Sequence, residues 1–262
     1  MQMQKPGSKC KHIFGFHAVS SLLLHAPEQI QLIYLQSKKY DEHSRIIIKQ
    51  AKQFNIPIKC LPRDQIGEMV FHANHQGFVA EVIAKSSERS ENDLESIFTK
   101  VKPPYLFLIL DGVQDPHNLG ACLRTANAAG VTAVIAPKDK AVGLTPAVYK
   151  VASGAAEVTP FIQVTNLARS LRLLKDNNVW LYGALAEAKQ TIFDMKFSGS
   201  TGIILGAEGT GLRRLTRESC DFLMRIPMFG LVSSLNVSVA TGICLFETVR
   251  QNKKSSISNS NL

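Results

Sequence analysis

The period of apolar and polar residues changes along this chain, and the changes divide it. Within residues 10–85 short runs alternate. Phe16 to His25 predicts a helix, Gln31 to Leu35 a strand, Asp41 to Phe54 a helix and Ile56 to Cys60 a strand. Asp64 to Phe71 then predicts a helix and Gly77 to Ala84 a closing strand. Such a unit of about 75 residues is a small α/β domain whose core is marginal standing alone. The stretch from Lys85 to Asp93 lacks large apolar residues, so residues 86–103 read as a linker, with a helix starting within Asp93 to Lys100. From Tyr105 onward, apolar runs near 105–110, 131–136, 158–164, 179–185, 201–206 and 222–226 alternate with helical stretches. That pattern predicts a parallel sheet covered on both faces across residues 104–252. The Ser/Asn-rich residues 253–262 read as a disordered tail.

Three junctions in the second region carry unusual residues. After the strand ending at Leu110, Asp115 or Asn118 can cap a helix, while Gly120 and Ala121 permit close packing. Asn118 and Arg124 stand six residues apart and do not share one face of a straight helix, so Asn118 is expected in the loop if both act at one centre. The run Gly202 to Leu212 is a strand breaking into a glycine-rich turn, with Glu208 among Gly206, Gly209 and Gly211. Its Gly-x-x-Gly-x-Gly spacing differs from the dinucleotide fingerprint, so the turn alone specifies no nucleotide. In Leu231 to Leu245, Ser233, Ser234 or Asn236 can cap a helix whose apolar face is Val237, Ala240, Ile243 and Cys244. Asn236-Val-Ser238 is also an acceptor triplet for N-linked sugar. The chain begins Met-Gln-Met-Gln-Lys without an apolar signal segment, so glycosylation is not expected.

Composition narrows the function classes. A net charge of +9 favours a polyanionic partner, and the basic excess lies on both sides of the 86–103 stretch rather than within it. Hydrophobic content of 45% and charged content of 19% are those of a soluble globular protein. No apolar run approaches the roughly 18 residues that a membrane span needs, which excludes a membrane protein. Five cysteines without paired short spacings indicate neither a disulfide framework nor a zinc site and fit a reducing cytoplasm. His72 and His75 are three apart, but no second ligand pair accompanies them, so no metal is assigned.

Taken in order, Asn118 to Arg124, Glu208 within Gly206 to Gly211, and Ser234-Leu-Asn-Val-Ser238 resemble the three motifs of the SpoU branch of the SPOUT methyltransferases. Phe14-Gly-Phe-His-Ala-Val19 and His75-Gln-Gly77 are similar to the substrate-binding domain of bacterial 23S rRNA (guanosine-2'-O-)-methyltransferases. The resemblance covers nearly the whole chain outside the two tails. It implies a parallel-sheet α/β SPOUT domain with a C-terminal trefoil knot, against the general rarity of threaded chains, and a small N-terminal α/β RNA-binding domain. It also implies an S-adenosyl-L-methionine pocket at the knot, with Gly206, Ile226 and Leu235 around the cofactor; taken alone, Ile226 and Leu235 read as core.

The implied reaction is methylation of a guanosine ribose 2'-hydroxyl in 23S rRNA, carried by Asn118, Arg124, Glu208 and Asn236. Asn118 and Asn236 would orient loops or ribose, and Glu208 would tie the site together by hydrogen bonds. Arg124 is a poor base because its guanidinium stays protonated, so it would position phosphate and stabilise developing alkoxide charge. A sulfonium donor already makes transfer favourable, and no metal is called for. Lys9, Lys11, Lys38, Lys39 and Arg63 could touch phosphates, with His17 and the His75 to Gly77 loop as further contacts. The resemblance further implies a homodimer formed through the knotted domain and a cytoplasmic location. Two other functions stay open on sequence: a tRNA ribose 2'-O-methyltransferase and a noncatalytic ribosome-assembly RNA-binding factor.

Overall fold

The computed structural model of the chain describes residues 10–37, 41–70, 74–83, 88–89, 91–207 and 209–259. They fall into two compact units, Met1–Ser86 with Ser153–Val158, and Ser87–Ala152 with Thr159–Leu262.

The first unit contains β1 (Cys10–Phe14), α1 (Phe16–His25), β2 (Ile30–Gln36), α2 (Glu42–Gln53), β3 (Ile58–Leu61), α3 (Arg63–Met69) and β4 (Phe78–Ile83). Its sheet runs in the order β1-β4-β2-β3, with β4 antiparallel to β1 and β2, and β3 parallel to β2. Asp41 starts α2 by accepting from the Ser44 N–H at 2.8 Å and the Ser44 hydroxyl at 2.7 Å. Ile47 and Ala51 on that helix join Leu22, Leu23, Ile33, Phe78 and Ala80 in one apolar core. Of the lysines and histidines expected to meet RNA here, Lys9, Lys38 and Lys39 lie outside the described residues, as does the side chain of Lys11. Arg63 and His17 are exposed, whereas His75 is buried and accepts the Gly77 N–H on Nδ1 at 3.0 Å. The Gln76 side chain closes this turn onto α1, accepting the Phe16 N–H at 3.2 Å.

The second unit contains β5 (Glu88–Arg89), α4 (Glu91–Lys100), β6 (Leu106–Asp111), α5 (Pro116–Ala128), β7 (Ala133–Pro137) and α6 (Pro146–Ala152). The short α7 (Ala155–Val158) belongs to the first unit and is followed by β8 (Phe161–Val164) and α8 (Leu167–Asp176). Then come β9 (Trp180–Ala184), β10 (Gln190–Thr191), β11 (Thr201–Gly206), α9 (Arg214–Ser219), β12 (Phe222–Arg225) and α10 (Val237–Asn259). Every adjacent pair of strands in the order β10-β12-β9-β11-β6-β7-β8-β5 is parallel. Phe107, Ile109, Ile135, Ile162 and Leu181 bury their side chains between this sheet and α4 and α8. The six apolar runs each supply a strand, although residues 155–158 form a helical turn and the strand expected from 158 starts only at Phe161.

Strands β1 and β10 fall where no element is expected, and order exceeds the sequence expectation at two further places. Residues 86–103 contain β5, which pairs with β8, and α4, whose Leu94 and Ile97 are fully buried or nearly so. Leu94, Ile97 and Phe98 recur at helical spacing, a stripe too narrow to raise the apolar content of a polar segment. The backbone stays helical to Asn259, past the expected tail start at Lys253.

Candidate active site

β6 is an uninterrupted apolar strand that ends in Asp111, and the chain turns into α5 through an Asp115 cap that accepts the His117 N–H at 2.9 Å. Pro116 occupies the first helical position, where a missing N–H is harmless. Asn118 therefore sits in the first turn of α5 and not in the preceding loop. Its neighbour is the start of α10. Asn236 Oδ1 accepts from the Ser238 N–H at 2.9 Å and the Ser238 hydroxyl at 2.6 Å, while Asn236 Nδ2 donates to Asn118 Oδ1 at 2.8 Å. A backbone N–H can only donate, so the Ser238 contact fixes which end of the Asn236 amide is oxygen and forces Asn118 to present its own oxygen.

The same face of α5 continues along α10. Cys122 Sγ lies 3.3 Å from the Thr241 hydroxyl, which itself donates to the Val237 carbonyl at 2.8 Å. Burial pushes the Cys122 thiol up to about 11 even though the Thr241 bond pulls it the other way. Gly242 adjoins Thr125. Residues 118, 122 and 125 thus define the stripe that meets α10. Arg124 stands about 120° around the helix and roughly 9 Å along it from Asn118, on the exposed side. No ion pair holds its guanidinium among the described residues. On the far side of α5, a Cβ at Gly120 would stand 2.7 Å from the Val151 Cβ, so α6 packs there against bare backbone.

β11 lies directly beside β6, with Gly206 paired to Asp111. The turn after it folds back on itself through the Gly211 N–H, which donates to the Ala207 carbonyl at 3.0 Å. A side chain at Gly206 is impossible without moving this turn, because its Cβ would fall 2.1 Å from the Gly211 carbonyl carbon. Glu208 lies outside the described residues. Ile226 follows β12, two strands from β11 across β9, and Leu235 precedes α10, which packs on both α5 and β11. Both are half-buried, and the chain between them exposes Phe229, Leu231 and Val232.

The structure places Gly206 at the carboxyl end of β11 and Ile226 just past that of β12, and past the end of β6 it joins Asn118 to Asn236, beside Leu235, along the edge where parallel α/β sheets bind ligands. It leaves Arg124 on an adjoining helical face. Two further residues at this edge, Asp111 and Arg213, belong to none of the motifs. Asp111 is fully buried and accepts the Arg213 N–H at 3.0 Å, with its other oxygen 3.4 Å from Arg213 Nε. The signal for it in the sequence is a lone carboxylate terminating five consecutive apolar residues.

Residues 105–246 match the SpoU rRNA Methylase family, and residues 12–87 match the RNA 2'-O ribose methyltransferase substrate binding family. The chain is 50% identical over 244 residues to 23S rRNA (guanosine-2'-O-)-methyltransferase RlmB of Coxiella burnetii, covering 93% of this chain and 97% of that one. It is 53% identical over 241 residues to the protein of the same name from Shewanella oneidensis, covering 92% and 97%. Among solved structures it is similar in fold to the SpoU methyltransferase AviRb from Streptomyces viridochromogenes in complex with AdoMet. That likeness has a TM-score of 0.72 and 21% identity, over 92% of this chain and 90% of the other.

Proposed function

The chain belongs to the SpoU rRNA methylase family, and on that premise we infer that it transfers a methyl group from S-adenosyl-L-methionine to the 2'-hydroxyl of a guanosine in 23S rRNA. The observation that carries this reading is the Asn236–Asn118 hydrogen bond, which joins two of the family motifs into one polar centre across 118 residues of sequence.

The chain's residues fit the cofactor. Gly206 keeps backbone within reach where any side chain would intrude, and half-buried Ile226 and Leu235 flank exposed Phe229 and Leu231, which offer apolar surface to an adenine ring and a methionine chain. S-adenosyl-L-methionine supplies an electrophilic methyl on a sulfonium. What the protein must add is alignment of a weak hydroxyl nucleophile and stabilisation of the charge it develops. Asn118 and Asn236, locked in one amide orientation, are suited to orient the ribose. Arg124, exposed on the next face of α5, is suited to hold a phosphate beside it and to offset alkoxide charge. Glu208 remains part of this reading as a hydrogen-bonding residue of the glycine turn.

In the same reading, a trefoil knot lies near the carboxyl end of the second unit, and the small residues Ser233, Ser234, Ser238, Ala240 and Gly242 suit tight threading. The exposed Val239 and Phe246, seven residues apart on α10, support homodimerisation through this unit. The first unit selects the RNA, and the enzyme works in the cytoplasm without a metal. No helix among the described residues is long and apolar enough to cross a membrane.

Incubation of the purified protein with methyl-labelled cofactor and 23S rRNA from a strain lacking the modification tests the reading, with tRNA in parallel. Label at one guanosine ribose of 23S rRNA is expected. Label in tRNA would make it a tRNA ribose methyltransferase, and no label with intact RNA binding would make it a noncatalytic assembly factor.

A further inference from the structure

Burying a carboxylate is costly unless its oxygens are paired, and Asp111 is the place where this unit accepts that cost. Its side chain is fully buried. Oδ2 receives the Arg213 N–H at 3.0 Å, whereas Oδ1 accepts no hydrogen bond among the described residues and instead faces Arg213 Nε at 3.4 Å. The guanidinium continues past it, and Arg213 Nη2 donates to the Asp139 carbonyl at 3.3 Å. One arginine thus spans the end of β6, the loop after β7 and the exit of the glycine turn that follows β11.

In the turn itself Gly209 and Gly211 adopt left-handed φ of 80° and 64°, and the Gly211 N–H donates to the Ala207 carbonyl. The turn's position relative to β6 therefore depends in part on what grips its far end. That end is Leu212, buried, and then Arg213.

We propose that Asp111 and Arg213 form a latch that holds Gly209, Gly211 and Leu212 in the arrangement that receives the cofactor, making both positioning residues rather than catalytic ones. This rests on the methyltransferase reading above for the identity of the ligand, though not for the existence of the latch. Arg213 is partly exposed, at 43%, so its guanidinium is reachable from solvent while its carboxylate partner is not. A polar link of this kind adds little net stability but selects one backbone arrangement over its neighbours.

The test uses the full chain with Asp111→Asn, Arg213→Gln, Arg213→Lys and the Asp111→Asn/Arg213→Gln double variant. Arg213→Gln leaves the core untouched and guards against failure to fold. Amide hydrogen exchange without cofactor is expected to quicken at least ten-fold at Gly211 and Arg213 in the Asn and Gln variants, while β6 and β7 keep their protection. Calorimetry with S-adenosylhomocysteine is expected to show binding weakened by about 10- to 100-fold, the loss that follows breaking a buried charged contact. The double variant should bind no worse than the weaker single one, because both changes break the same link, and Arg213→Lys should recover part of the affinity. Unchanged exchange at Gly211 and Arg213 in both single variants overturns the latch, as does an additive double variant. A wild-type protein that binds no S-adenosylhomocysteine refutes the methyltransferase reading instead, and the exchange data still decide the latch.

Discussion

The two units spend their polar side chains differently. In the first unit, Tyr34 donates to Glu81 at 2.8 Å, Ser20 to Gln50 at 3.2 Å, and Gln76 accepts from the Phe16 backbone, all contacts arranged around a single apolar core. In the second, Asn118 meets Asn236, Cys122 meets Thr241 and Asp111 meets Arg213, each pair more than 100 residues apart in sequence and all on or near one sheet edge. Contacts of the first kind hold a fold that its core already specifies. Those of the second kind place polar groups where packing alone would not, and that marks the second unit as the one that performs chemistry.

Removing a side chain from the sheet edge should sharpen this contrast most. Arg124→Ala is expected to abolish methylation, with at least a 100-fold fall in kcat, while S-adenosylhomocysteine affinity stays within a few fold in a calorimetric titration. Normal turnover would remove Arg124 from the reaction. Asn236→Ala should lose a similar factor, but because Asn236 also caps α10 it should cost about 1 kcal/mol of stability as well. A melting scan separates the two effects: a fall in Tm without a fall in kcat would reduce Asn236 to a cap.

Gly206→Ala comes next. The added methyl would collide with the Gly211 backbone, so the turn has to move, and cofactor affinity should fall by ten-fold or more with the global melting temperature shifted only by a few degrees. Wild-type affinity in that variant would mean that the turn does not shape the pocket.

Much of this organisation is legible because parallel strands announce themselves as apolar runs: the run Thr201 to Gly206 has the limits of its strand, and the run beside it matches Leu106–Asp111 within a residue. The first unit is readable in its helices, since Asp41 is a capping residue placed just before a helical stripe, but its first strand, Cys10–Phe14, falls where no element is expected. Legibility fails where one residue serves two periods or none. The expectation of Asn118 in a loop rests on the premise that it and Arg124 act from one face; Asp115 and Pro116 instead start the helix three residues earlier, and the two side chains diverge. Asp111 and Arg213 cannot be paired from sequence, because an ion pair between residues 102 apart leaves no local pattern. The helix expected within Asp93 to Lys100 starts at Glu91, and what its polar composition hides is that Leu94, Ile97 and Phe98 pack into the core of the second unit.

The converse change tests the first unit. Phe78→Ala empties a fully buried site at the centre of its core and should destabilise that unit by roughly 3–5 kcal/mol. If the division of labour holds, rRNA binding weakens near the lowered melting transition while S-adenosylhomocysteine binding persists. Loss of cofactor binding at temperatures where the second unit is still folded would break the comparison.

The smallest effect is a dependence on alkaline pH confined to the second unit. Burial raises the Cys122 thiol to about 11 and the Cys244 thiol to about 12, from an ordinary 9.0, so the folded unit keeps protons that the unfolded chain releases. Their contribution is therefore complete below pH 9 and is lost as pH climbs from 9 through 11 and 12. A tenfold difference in proton affinity between folded and unfolded chain is worth about 1.4 kcal/mol, so the decline attributable to Cys122 is on the order of 1–3 kcal/mol across that window. Cys60 in the first unit is exposed and should be alkylated in the native protein, whereas Cys122 and Cys244 should resist until the second unit opens. Urea titrations at pH 8 and pH 10.5 should show the second unit's transition moving to lower denaturant more than the first unit's. Cys122→Ala should reduce that difference without abolishing it, because the thiols of Cys220 and Cys244, each raised by burial to about 12, remain.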